Sequence, residues 1–264
     1  MPDLDAAALM ARVGNLLAER RIAAARLLLR AVARLAPPSP ELWELEGRLA
    51  LAEDDVAGAG AMFDRAVAAA PDRVDAWLLR AEARARAGDR AGAAGDAAEA
   101  VVRAPGDPRG KALLGTLLLE LDRPRDALPC LAEAVAAVPD DVPARIALAR
   151  AQDACGSAEA AAATLAEGMA RAPSHVGLRS AAVMAQARRG GVESALPLAA
   201  QAWRDGCADA GVLRLLGDTL TRLGRTAEAT DAYLAALHLA PEDGQLRHLL
   251  AAAGRVAEPL AGAA

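Results

Sequence analysis

Small and large apolar positions recur along this chain on a 34-residue ruler, with charged residues between them. Ala25, Ala59, Ala93, Ala127, Ala161, Ala195 and Ala229 follow one another at that spacing with no insertion. Twelve residues after each of them stand Pro37, Pro71, Pro105, Pro139, Pro173, Cys207 and Pro241. Such a period marks stacked supersecondary units, none of which can bury its apolar face alone. A frame opened at Ala6, after a lead-in of residues 1–5, gives seven units: 6–39, 40–73, 74–107, 108–141, 142–175, 176–209 and 210–243. In each, the spacing predicts two helices, at roughly positions 1–14 and 17–31.

The punctuation agrees. Position 34 carries Ser39, Arg73, Asp107, Asp141, His175, Asp209 and Asp243, and five of these seven are good caps for the free N–H groups of the next helix. Position 15 holds Gly88, Gly156, Gly190 and Gly224, with Asp54 and Asp122 in two other units. A glycine there can take the left-handed conformation that ends the first helix. Pro124 falls at the start of a second helix, where its missing N–H does no harm. Pro129 and Pro197 fall inside second helices and are expected to bend them or free a carbonyl.

Side-chain size is also periodic. Position 8 holds Val13, Gly47, Ala81, Gly115, Ala149, Val183 and Gly217, position 20 is always Ala, and position 27 is mostly Ala. Leu29, Phe63, Leu131, Leu165 and Tyr233 fill position 24, and Trp43 and Trp77 stand at position 4. With proline at position 32, this pattern over residues 6–243 resembles the tetratricopeptide repeat. The resemblance implies an all-α fold, a right-handed superhelical solenoid of antiparallel helix hairpins with a concave groove lined by the first helices. Lys111, Arg145 and Arg179 replace Trp at position 4, and Arg84, Gln152 and Gln186 occupy a usually large position 11. A shifted helix register is expected there. Residues 244–257 read as a capping helix for the last hairpin, and 258–264 as a tail without structural signal. This closing stretch also resembles the segment that joins repeat arrays to a methyltransferase domain in some bacterial fusion proteins. The chain stops before any such domain, so that likeness confers no activity.

Composition changes the picture in three ways. Hydrophobic residues make up 54% but aromatics only 2%, so the core must be built from Ala and Leu, which suits closely packed helices. The net charge of −5 argues against a dedicated nucleic-acid binder. Cys130, Cys155 and Cys207 are odd in number and far apart, which fits a reducing compartment. The acidic N-terminus lacks a signal peptide's basic stretch, and no apolar run approaches a membrane span, so a cytoplasmic bacterial protein is expected. Arg12, Arg20, Arg21, Arg26, Arg30 and Arg34 face only Glu19 in the first unit, and no aromatic lies nearby to stack on bases. The stripe Arg26, Arg30, Arg34 reads best as a solvated outer face.

Positions 2, 5, 9 and 12 share one face of each first helix and face the implied groove. There, or just beyond, stand Glu41, Glu44, Arg48, Leu78, Glu82, Arg109, Ile146, Arg150, Met184, Arg188, Arg214, Asp218 and Arg222, the candidate peptide-binding residues. With Asp75 and Asp153 added, the face runs from mildly acidic to mildly basic, a gradient able to orient a guest. The Lys/Asn/Arg set by which some repeat proteins grip a chaperone's C-terminal carboxylate is absent: position 5 reads Met10, Glu44, Leu78, Ala112, Ile146, Ser180 and Arg214.

Chemistry is not encoded at any recognisable spacing. His175, His238 and His248 lack metal-ligand neighbours, and the cysteines lack a positioned base. Gly58-Ala59-Gly60 follows no strand. Glu53, Asp54 and Asp55 sit in a hairpin turn. No catalytic residue, cofactor or metal is expected. The reading is a scaffold or adaptor that binds a peptide or helix of a partner protein in the groove. A recruiting or regulatory component of a glycosyl- or methyl-transferring enzyme system is the alternative, and self-association through the solenoid ends is a third possibility.

Overall fold

The computed structural model describes residues 6–206 and 208–257. The lead-in 1–5, Cys207 and the tail 258–264 lie outside the described residues. Among the described residues every regular element is helical. The chain forms two compact bodies, Met1–Val138 and Pro139–Ala264.

The first body holds α1 (Ala6–Ala18), α2 (Ile22–Leu35), α3 (Pro40–Ala52), α4 (Val56–Ala69), α5 (Val74–Arg86), α6 (Arg90–Arg103), α7 (Pro108–Glu120) and α8 (Pro124–Ala137). The second holds α9 (Val142–Ala154), α10 (Ala158–Arg171), α11 (Val176–Gly190), a 3-10 turn (Val192–Ala195), α12 (Leu196–Arg204), α13 (Ala210–Arg222), α14 (Thr226–Leu239) and α15 (Gly244–Ala257). Consecutive helices pack as antiparallel hairpins, and each hairpin packs on the next within its body.

The periodic alanines explain why. All seven, Ala25 to Ala229, are at most 1% exposed, so no larger side chain fits between paired helices. Position 24 then fills the hairpin with Phe63, Leu131, Leu165 or Tyr233. At position 8 the fit is tight. A Cβ on Gly217 would stand 2.5 Å from the Tyr233 ring, and one on Gly47 would stand 2.4 Å from Phe63. Leu246 of α15 is buried in the cluster of Val212, Leu216 and Tyr233, so the last helix covers the last hairpin's apolar face.

Helix ends follow the caps, with two departures. Ser39, Asp107, Asp141, Asp209 and Asp243 accept backbone N–H groups of the following helix, and so does His175 Nδ1, from Leu178 at 3.4 Å. Arg73 makes no cap bond and is used elsewhere. Position 15 takes positive φ at Asp54, Gly88, Asp122, Gly156 and Gly224, and also at Arg20. The exception is the sixth repeat, where α11 runs through Gly190 and Gly191 turns instead, at φ +80°. Pro197 causes a related change. It does not sit in a helix interior but in the first turn of α12, because it cannot donate to a preceding carbonyl, and the chain before it closes as the 3-10 turn. Pro129 is carried inside α8, which continues through it.

Outside the sixth repeat, the expected register shift at positions 4 and 11 does not occur. Both departures are absorbed locally by hydrogen bonding. Trp77 Nε1 donates to the Pro71 carbonyl, six residues upstream, at 2.7 Å. Arg145 donates to Pro139 O at 2.7 Å, Arg179 to Pro173 O at 2.8 Å, and Arg247 to Pro241 O, each over the same interval. Arginine therefore replaces the indole N–H as donor to the proline carbonyl. Lys111 instead reaches Glu133, at 2.6 Å. Room for the buried Arg145 comes from Gly168, whose Cβ would lie 2.6 Å from Arg145 Cδ.

At position 11 two of the three polar residues find partners at position 23 of the same repeat. Arg84 donates to Asp96 at 2.9 Å, and Gln152 accepts from Thr164 at 2.8 Å. Asp96, with a side chain only 3% exposed, also takes two bonds from Arg80, at 2.9 and 2.7 Å. The Ala-rich core of this hairpin, Ala81, Ala93 and Ala97, is thus bordered by a satisfied ion cluster.

Candidate binding face

Turning inward on α3, α5 and α7, residues Glu44, Arg48, Asp75, Leu78, Leu79, Glu82, Arg109 and Leu113 line a cavity of about 510 Å³. Five candidate residues meet there: Glu44, Arg48, Leu78, Glu82 and Arg109. The charge on this face differs from its count in the sequence. Glu44 is buried and bonded to Arg73, which also holds Glu41 at 2.7 Å. The bond to Glu44 raises the Arg73 guanidinium above its ordinary pKa, and backbone N–H bonding lowers the Glu41 carboxyl. Arg109 bonds Asp75 at 2.8 Å and folds back on its own cap, Asp107, whose carboxyl it holds below the usual range. The acidic end of the supposed gradient is therefore largely neutralised by Arg73 and Arg109. Arg48 and Glu82 stay exposed and without an ion pair or hydrogen bond among the described residues. Arg73 was missed as a participant because its position reads only as a poor cap.

A second cavity, of about 520 Å³, opens between α9, α11 and α13 in the C-terminal body. Its lining is mainly apolar and includes Ile146, Ala149, Leu165, Ala181, Met184 and Ala185. Of the candidate residues, Ile146, Arg150, Met184 and Arg188 come together here. Arg150 is exposed and has no ion pair or hydrogen bond among the described residues, whereas Arg188 Nε donates to Asp153 at 2.7 Å. Arg214, Asp218 and Arg222 lie along α13 outside this lining. Arg214 donates to Gln245 at 2.9 Å, and Asp218 accepts from Tyr233 Oη at 2.7 Å. Sequence reasoning missed Gly177 and Gly211. Both stand at position 2, where other repeats carry Glu41, Asp75 and Arg109, and their lack of a side chain helps open the cavity.

Among the described residues no group of three or more His, Cys, Asp or Glu side chains is placed to hold a metal ion. Cys130 and Cys155 are half-buried free thiols, and burial pushes the Cys130 thiol above its ordinary pKa. No helix among the described residues is long and apolar enough to cross a membrane.

A tetratricopeptide repeat model matches residues 11–74, 44–108 and 180–244, and a second model of the same description matches 118–188. The chain belongs to the tetratricopeptide repeat family. Among solved structures it is similar to a tetratricopeptide repeat protein from Parabacteroides merdae, at 15% identity and TM-score 0.72 over 94% of this chain and 98% of that one. It is also similar to the Cut9–Hcn1 hetero-tetramer of the APC/C, at 16% identity and TM-score 0.72, covering 97% of this chain and 50% of that one. A third is YrrB, described as a TPR protein with an unusual peptide-binding site, at 21% identity and TM-score 0.53 over 62% of this chain and 84% of that one. No curated protein matches the chain. At these identities the likeness is one of fold, that of repeat solenoids which in general serve as protein–protein interaction scaffolds and typically carry no catalysis of their own.

Proposed function

We propose that this protein binds a peptide or helix of a partner protein on the faces built by its first helices, as seven 34-residue repeats closed by the helix at residues 244–257. The observation that carries this reading is the cavity of about 520 Å³ around Ile146 and Met184, because an apolar hollow rimmed by a few polar groups is the usual form of a preformed binding site. A preformed surface lowers the ordering cost that a guest must overcome on binding. The unpaired arginine there and the unpaired Arg48 and Glu82 in the other cavity provide orientation and on-rate, since exposed charges contribute only about 0–1 kcal/mol each. The description of YrrB as having a peptide-binding site supports the same use of the fold.

The test is a selection from a displayed library of random short peptides against the full chain. Binding of the selected peptides is expected to weaken when Arg48→Glu with Glu82→Arg, or Arg150→Glu with Arg214→Glu, alters one face or the other. Peptides indifferent to both pairs of substitutions overturn the reading.

A further inference from the structure

We infer that the cavity between α9, α11 and α13 takes one large apolar side chain of a partner segment whose neighbouring residues are acidic. This rests on the groove-binding reading above and narrows it to a chemical class. Two observations carry it.

The first is shape. Two successive repeats carry glycine at position 2, Gly177 and Gly211, and Ala149 and Ala181 stand nearby, so the first helices leave a hollow of about 520 Å³. Ile146, Leu165 and Met184 line it, which suits an aliphatic or aromatic guest. Methionine adapts its shape to such a guest more readily than a branched residue does.

The second is charge. Both carboxylates near the mouth are committed. Asp153 accepts from Arg188, and Asp209 caps α13 through Val212 N at 2.8 Å, where the helix N-terminus offsets its charge. Arg150 lacks any ion pair or hydrogen bond among the described residues, and Arg188 uses only Nε, so its other N–H groups stay open. The unmet need at this rim is for an anion, and carboxylates beside the anchoring side chain supply it.

Three end-capped fluorescent peptides test this against the full chain by anisotropy: a central leucine between aspartates, the same leucine between lysines, and the aspartate peptide with leucine replaced by asparagine. The aspartate–leucine peptide is expected to bind at least about tenfold more tightly than either control, and less tightly as salt is added. Ala181→Phe fills the hollow and is expected to cost that peptide about tenfold or more. Arg150→Glu, at an exposed and unpaired position, should leave the melting temperature unchanged and shift preference toward the lysine peptide, so the test survives even if Ala181→Phe fails to fold. Equal binding of all three peptides, or an aspartate–leucine affinity untouched by Arg150→Glu, overturns the inference. If that peptide fails while library-selected peptides remain sensitive to Arg48→Glu with Glu82→Arg, only the cavity inference falls. If the selected peptides are indifferent both to that pair and to Arg150→Glu with Arg214→Glu, the groove reading falls with it.

Discussion

Raising the pH through the tyrosine range is expected to destabilise the last hairpin through a single residue. Tyr233 is the chain's only tyrosine, and it is 2% exposed, packed against the bare backbone of Gly217. Its hydroxyl donates to Asp218 at 2.7 Å and lies 3.4 Å from Thr221 Oγ1. Burial, aided by the Asp218 carboxylate, pushes the phenol from its ordinary value near 10 up to about 12. The folded chain thus holds this proton more tightly than the unfolded chain. The resulting stability is complete below pH 10 and is lost as the pH rises toward 12. A displacement of that size corresponds to about 2–3 kcal/mol. The phenolate absorbance band titrates Tyr233 alone, and urea unfolding at stepped pH reads the stability. Between pH 10 and 12 the native protein should lose about 2 kcal/mol more than Tyr233→Phe does. All other side chains are common to both proteins and cancel in that difference. A native phenolate midpoint near 10, or parallel pH profiles for the two proteins, refutes the reasoning.

Other substitutions probe the packing by equilibrium unfolding. Asp96→Ala takes two bonds from Arg80, whose side chain is 14% exposed and keeps only Asp64 at 3.1 Å and the Trp77 face, and should cost about 1–3 kcal/mol, whereas Arg80→Met with Asp96→Leu should cost less. Gly217→Ala drives a methyl group into Tyr233 and should cost about 1–3 kcal/mol. Gly95→Ala, in α6 with nothing within 4 Å of the added Cβ, should instead stabilise by about 0.5–1 kcal/mol. A Gly217→Ala protein as stable as the parent would mean that the hairpin is looser than the structure describes.

Much of the fold was legible because the repeat confines each residue type to one environment. Ala93 and Ala127 could be read as helix-contact positions from spacing alone, and both are fully buried. Register was misjudged at Arg145 and Gln152 because side chains were weighed by bulk. Their donors and acceptors, directed at Pro139 and Thr164, are what hold them in place. The sixth repeat departed for a related reason: Pro197 removes one donor, and the turn moves from Gly190 to Gly191. The candidate face was half legible. Helical spacing puts Ile146, Arg150, Met184 and Arg188 on one face, and these four line one cavity. It cannot reveal that Arg73, a full helix away in sequence, cancels Glu41 and Glu44, because that pairing depends on how one hairpin meets the next.

The donor to the proline carbonyl has a consequence for how such arrays drift. A tryptophan codon becomes an arginine codon by a single base change. Where the demand at that place in the repeat is for an N–H aimed at Pro139 or Pro173, the swap keeps the joint intact while erasing the aromatic by which the motif is recognised. Lysine, whose ammonium turned to Glu133 instead, offers no such neutral passage. Relatives that have lost every tryptophan should therefore be sought through arginine standing six residues after a proline.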